Sequence, residues 1–185
     1  MHTTDLPAGL THLQTPSPRP GPLYSLVVDQ LPEGPTYWID ARNAAVTHAL
    51  YDCAASPRAL ESLQIARAFT AYRHHELIGD LSAHDPALVV APNVAALDRD
   101  DRSARVEQTA LLETTLERLG ALECPVLATT TAAEAAAVAP HADTTLECVR
   151  TREGIRIEGE GAPTAGYWHG PYWQTTIPSG LTSAA

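Results

Sequence analysis

The sequence predicts an α/β domain: a mainly parallel central sheet flanked by helices, finished by a C-terminal antiparallel hairpin. Three observations predict it. Short apolar or alternating runs take turns with stretches of helical length and spacing, the pattern of right-handed βαβ crossovers. The run from Asp85 to Val94, with Leu88, Val89, Val90 and Ala91 at its centre and Pro86 and Pro92 at its ends, is short and continuously apolar. It reads as a strand buried on both faces, in the middle of a parallel sheet. Thr144–Arg150 and Ile155–Glu160 flank the turn Thr151-Arg152-Glu153-Gly154, which predicts a hairpin.

The 185 residues suffice for one domain with a real core, and no internal repeat or linker divides them. The expected core spans about residues 8–178, with short flexible termini. All 12 basic residues are Arg, against 22 acids, for a formal charge of −10. A lysine-free, acidic, Ala- and Thr-rich chain suits a halophilic cytoplasm, where a hydrated anionic surface keeps proteins soluble. A high-GC codon bias gives the same composition. The charge balance argues against strong nucleic-acid binding, which needs clustered cations on phosphate. Cys53, Cys124 and Cys148 are odd in number and lack a C-x-x-C pair, so they are expected reduced and mostly buried. Residues 1–9 have no signal-peptide pattern and no run approaches membrane-spanning length, which predicts a cytoplasmic protein with no membrane partner.

Leu10–Gln14 is the first expected strand. Leu23 to Leu31 has helical apolar spacing, with Pro22 at or near its first position. Thr36–Asp40 reads as the second strand and Ala41–Ala55 as a loop and helix. Ser56-Pro57 can cap a helical turn. Leu63–Phe69 alternates like a strand, and Tyr72–Leu81 follows as a helix. Beyond the central strand, the charged loop Asp98-Arg99-Asp100-Asp101-Arg102 leads into a long helix, about Ser103 to Ala121. Its expected apolar face holds Val106, Ala110, Leu111, Leu112, Leu116 and Leu119. Cys124–Thr130 is a further strand, and Thr131–Val138 a short helix capped near Thr131.

Strand, loop, helix is the setting of a phosphate-binding loop, yet the loop chemistry is wrong for one. Such a loop needs glycines whose N–H groups converge on phosphate, a Lys for charge and a hydroxyl for Mg²⁺. Here Pro16, Pro18, Pro20 and Pro22 surround Ser17, Arg19 and Gly21, and proline has no N–H and a fixed φ. Arg19 and Ser25 are the only remnants such a loop would keep.

Taken in order, several segments resemble the ATPase core of the RecA/RadA recombinase family, archaeal type, over about residues 8–178. Tyr37-Trp38-Ile39-Asp40 is similar to that family's aromatic and aliphatic strand ending in an acid. The run Ile65-Ala66-Arg67-Ala68-Phe69-Thr70-Ala71-Tyr72-Arg73-His74-His75-Glu76-Leu77 resembles the archaeal "ARAFNSNHQ" region. Leu88-Val89-Val90 with the loop and long helix behind it, and the hairpin from Val149 to Ile157, match in order. The resemblance implies a RecA-like P-loop NTPase fold.

It also implies that the catalytic parts are missing. The family's phosphate loop falls on Pro16 to Pro22, without its Lys. Its catalytic Glu falls on Arg42 if Asp40 matches the strand-end Asp, and its Mg²⁺-linked Asp falls on Ala91 or Pro92. Phosphate binding, water activation and metal placement would fail together. The family's DNA-binding loops depart too: one is cut to Asp98–Arg102 with three acids, and the segment after Thr130 is Ala-rich and acidic. Its helical DNA-binding domain and Phe-x-x-Ala docking motif are not found. The expectation is a pseudo-ATPase with no cofactor and no metal, an accessory factor in DNA recombination or repair that binds a RecA/RadA-type recombinase or another repair protein. The alternatives are an NTPase that holds ATP and Mg²⁺ with Arg19 in place of Lys, and a single-stranded DNA-binding module.

Few other residues invite a role. Tyr167, Trp168, Tyr172 and Trp173, with His169 among them, gather four aromatic residues in an aromatic-poor chain. They read as a partner-binding patch, as a base-stacking surface, or as a buried strand pair sealing the sheet edge. His74-His75-Glu76 offers no chelate, because adjacent residues on a helix diverge; a half-buried His beside an exposed one is expected. Arg99, Arg102 and Arg105 sit among Asp98, Asp100 and Asp101, as in a self-paired solvated loop. Asp40 is expected to serve as a strand-end cap.

Overall fold

In the computed structural model, residues 6–31, 34–97, 105–160, 166–169 and 172–175 are described. Nine strands form one sheet in the order β3-β2-β4-β5-β1-β6-β7-β8-β9. They are β1 (Gly9–Thr15), β2 (Thr36–Ala41), β3 (Leu63–Ala68), β4 (Leu88–Ala91), β5 (Pro125–Thr131), β6 (Thr144–Thr151), β7 (Gly154–Gly159), β8 (Gly166–His169) and β9 (Tyr172–Thr175). Every pairing from β3 through β6 is parallel, and those from β6 to β9 are antiparallel. The helices are α1 (Gly21–Asp29), α2 (Thr47–Cys53), α3 (Ala71–Asp80), α4 (Arg105–Gly120) and the single turn α5 (Ala135–Val138).

Two apolar layers explain why the parallel strands read as unbroken hydrophobic runs. Leu13, Trp38, Leu88, Val90 and Leu127 project to the face covered by α1 and α2. Leu10, Ile39, Val89, Ala91, Val126 and Ala128 project to the other, under α3, α4 and Val138. All four residues of β4 are buried, as expected of a strand sandwiched between helical layers. Trp38 is fully buried and stacks on Tyr24 of α1 with ring centroids 6.0 Å apart, which locks α1 onto β2.

Local chemistry sets the element ends. Gly9 has φ 98, and a Cβ there would stand 2.5 Å from Asp143 Oδ2, the atom that accepts the Leu10 N–H at 2.8 Å. Only glycine lets β1 begin beside that carboxylate. Thr70 caps α3 by accepting the Arg73 N–H at 3.2 Å.

The structure corrects several expected details. Val106 is 79% exposed and Ala110 is exposed as well, so of the expected residues Leu112, Leu116 and Leu119 bury the face of α4, joined by Thr115, with Leu111 half-buried. The first turns of α4 lie out beyond the core. Strand β3 stops at Ala68, leaving Phe69 77% exposed. Ser56 precedes a 3-10 turn at Pro57–Leu60, but its side chain makes no cap bond. At Thr131 the roles are reversed: its N–H and hydroxyl both donate to Glu134 Oε2, and α5 starts only at Ala135. The charged loop Asp98–Arg102 and the side chain of Arg105 lie outside the described residues.

Candidate functional site

In parallel α/β sheets ligands sit outside the carboxyl ends of the strands, so the candidate site is the edge formed by the ends of β1, β2, β4 and β5. After β1 the chain makes bends and enters α1, with Pro20 as its N-cap residue and Pro22 in its first turn. Pro16, Pro18 and Arg19 are exposed, Gly21 is half-buried, and Pro20 and Pro22 are buried. Pro22 has no N–H and that of Leu23 is spent on Pro20 O at 3.1 Å, so the first turn of α1 is poor in donors for an anion.

This loop is fastened to its neighbours by side chains. The Thr15 hydroxyl lies 2.9 Å from Ser17 O and 3.1 Å from Thr130 O. The Asn93 amide Nδ2 donates to Pro18 O at 3.0 Å, and the Asn93 N–H donates to Thr129 Oγ1 at 3.0 Å. Asn93 sits in the left-handed region at φ 52 and is 2% exposed, with its Oδ1 buried and without a partner among the described residues. A carbonyl-to-amide clasp therefore joins the proline loop to the turn after β4. Sequence reasoning missed it, because Asn93 and Pro18 lie far apart in the chain and nothing local to either announces the pairing.

Ser25 and Asp40 are both committed. Ser25 is buried, and its hydroxyl lies 3.6 Å from Cys53 Sγ. Asp40 is fully buried at the end of β2. Its Oδ1 accepts the N–H groups of Ala44 at 2.6 Å and Ala45 at 3.2 Å, and its Oδ2 pairs with Arg67 Nε at 3.3 Å. It is a cap for the turn that enters α2. Arg42 turns at φ 57 and donates from Nε to Ala96 O at 3.1 Å. A guanidinium has N–H donors and no acceptor, so Arg42 offers a water no base. Arg19 and Asp40 both act on the Tyr24 hydroxyl, in opposite senses. Burial pushes that group up to about 12, with Asp40 adding to the rise and Arg19 opposing it, while it donates to Ala44 O at 2.8 Å.

The other singled-out residues fall elsewhere. Tyr167, Trp168 and His169 stand on β8 and Tyr172 and Trp173 on β9, with Trp168 opposite Trp173 and His169 opposite Tyr172. Their side chains lie outside the described residues, and the patch is placed at the far end of the sheet from β3. His74 is more deeply set than expected: it is 3% exposed, and burial holds it at about 4, while His75 beside it is half-buried. Among the described residues no group of three His, Cys, Asp or Glu could hold a metal. The three cysteines are free, Cys124 and Cys148 buried and Cys53 half-buried. Among the described residues no helix is long and apolar enough to cross a membrane.

A groove of about 600 Å³ opens away from this edge, between the C-terminal ends of α3 and α4. Both helices run back from strand ends to strand starts, so the groove lies toward the opposite rim of the sheet. No protein-family model and no curated protein matches this chain.

Proposed function

We propose that this chain is a RecA/RadA-like core that has given up nucleotide chemistry and works through protein contacts, as an accessory or regulatory factor in DNA recombination or repair. The observation that carries the reading is the condition of the sheet's C-terminal edge. Where the resemblance puts phosphate, attacking water and Mg²⁺, the chain has a proline loop clasped to Asn93, the cation Arg42, and the side chains of Ala91 and Pro92. None of these supplies a phosphate cradle, a base or a metal ligand. The mainly parallel sheet with its antiparallel continuation supports the same reading at the level of architecture, which alone does not assign function.

A contact surface is available at the other end of the sheet. Strand β3 closes the strand order, and among the described residues no strand pairs with its outer side. Phe69 and Tyr72, just past it, are 77% and 56% exposed. An open strand edge beside exposed rings suits a partner that adds a strand and anchors an apolar side chain. The partner proposed is a RecA/RadA-type recombinase.

The test pairs two measurements at multimolar salt. Titration with labelled ATP and Mg²⁺ should show no saturable binding, and a purified recombinase should be retained by the wild-type chain but not by Phe69→Ser. Micromolar ATP binding with turnover would overturn the proposal in favour of an NTPase that uses Arg19. Single-stranded DNA binding that disappears in Trp168→Ala and Trp173→Ala would overturn it in favour of a nucleic-acid module.

A further inference from the structure

The groove between α3 and α4 holds a set of side chains whose hydrogen-bonding roles can be deduced. His75 Nδ1 lies 2.8 Å from Thr115 Oγ1, and the Thr115 hydroxyl lies 2.7 Å from Leu111 O. A threonine has one proton to give, and the carbonyl can only accept. The hydroxyl therefore donates to Leu111 and accepts from Nδ1, so the neutral imidazole carries its proton on Nδ1 and keeps Nε2 as an acceptor. Burial and the nearby Arg118 both favour that neutral form.

Arg118 crosses the groove with its charge unspent. Its one hydrogen bond among the described residues is a long one, 3.5 Å from Nη1 to His75 O, and no carboxylate there pairs with it. It can lie there because residue 79 is glycine: a Cβ on Gly79 would stand 2.5 Å from Arg118 Nη1. Glu76 is taken by Arg73 at 3.2 Å, whereas Asp80, one helical turn further on, is exposed and carries no ion pair among the described residues. Leu122, half-buried, adds apolar wall, with the buried Ile78 behind the groove floor.

An open guanidinium, an open carboxylate, a lone-pair nitrogen and an apolar wall make a pattern with no net charge and two poles. A phosphate dianion would meet Asp80, and a bare cation would meet Arg118. A zwitterion satisfies both ends, and the guanidinium fork matches a carboxylate. We propose that this groove binds a free aliphatic α-amino acid, with its carboxylate on Arg118, its ammonium toward Asp80 and His75 Nε2, and its side chain against Leu122. The inference does not depend on the recombination reading, since the two surfaces use different residues.

Leucine is the probe, titrated into the full chain while the backbone amides of Gly79 and Asp80 and the Nε–H of Arg118 are followed by NMR. The controls are 4-methylpentanoate, which lacks the ammonium, and isoamylamine, which lacks the carboxylate. Leucine should give saturable shifts, with each control at least about tenfold weaker, the equivalent of about 1.4 kcal/mol. Arg118→Gln and Asp80→Asn, both at exposed positions, should each weaken leucine by about tenfold or more while leaving the spectrum of the core unchanged. Absence of saturable shifts with leucine, equal binding of 4-methylpentanoate, or undiminished binding by Arg118→Gln would each overturn the proposal.

Discussion

The side-chain amide of Asn93 donates to the carbonyl of Pro18 at 3.0 Å and so ties the turn after β4 to the loop after β1. Asn93 holds φ 52, a region that asparagine and glycine tolerate and alanine does not. Asn93→Ala loses the bond and adds backbone strain, for a cost of about 2 kcal/mol, whereas Asn93→Gly loses only the bond, at about 1 kcal/mol. In both variants amide exchange at Ser17 and Arg19 should speed up. Equal stability of the alanine and glycine variants in urea denaturation would contradict this assignment.

Asp40 is a structural acid. Asp40→Ala leaves two backbone donors and the Arg67 charge without their acceptor, and should cost about 3 kcal/mol. Asp40→Asn keeps an oxygen for Ala44 and Ala45 and should cost roughly half as much, because Arg67 is partly solvated and retains water as a partner. Thermal melts of the two variants give the ordering, and a reversed order would remove Asp40 from its capping role.

Acid should weaken the fold through the buried histidines. His74 titrates at about 4 when folded against 6.5 when unfolded, so between those values the unfolded chain binds more protons. Stability is therefore complete above pH 6.5 and is lost progressively as pH falls toward 4. For His74 the loss amounts to about 2 kcal/mol between pH 7 and pH 5. His12 is fully buried, is shifted the same way by burial, and adds to the slope. Urea midpoints at the two pH values measure the effect, and His74→Gln should flatten it; a slope unchanged by that substitution would refute the account.

Phe69 is too exposed to contribute to the core. Phe69→Ser should change unfolding free energy by no more than about 0.5 kcal/mol, while abolishing capture of the proposed recombinase partner. A large loss of stability would mean that the ring is packed, and the contact surface would have to be sought elsewhere.

The architecture was legible because each buried strand announces itself locally. Leu88 to Ala91 must be apolar on both faces, and Thr144 to Gly159 carries its own turn. The depth of helix faces was less legible. Val106 and Ala110 continue the apolar spacing of α4, but the helix begins before the sheet starts beneath it, so the pattern runs past the surface it covers. That Pro16, Pro18, Pro20 and Pro22 make a loop poor in N–H donors could be expected from residue types alone. The clasp between Asn93 and Pro18 could not, nor could the tautomer of His75, which depends on Thr115 two elements away. Such pairings arise from the approach of distant elements and leave no periodic trace.

Strand β1 lies between β5 and β6, with Gly9 opposite Pro125 and Thr11 opposite Thr144. During synthesis β1 thus waits for partners encoded more than half of these 185 residues later. The segments made in between, from β2 to β4, have only each other to assemble with until then. Closing so large a loop before any native pairing repays it makes for slow refolding. The nascent apolar residues Leu10 and Leu13 also stay open to chaperones or to aggregation until translation has passed residue 144.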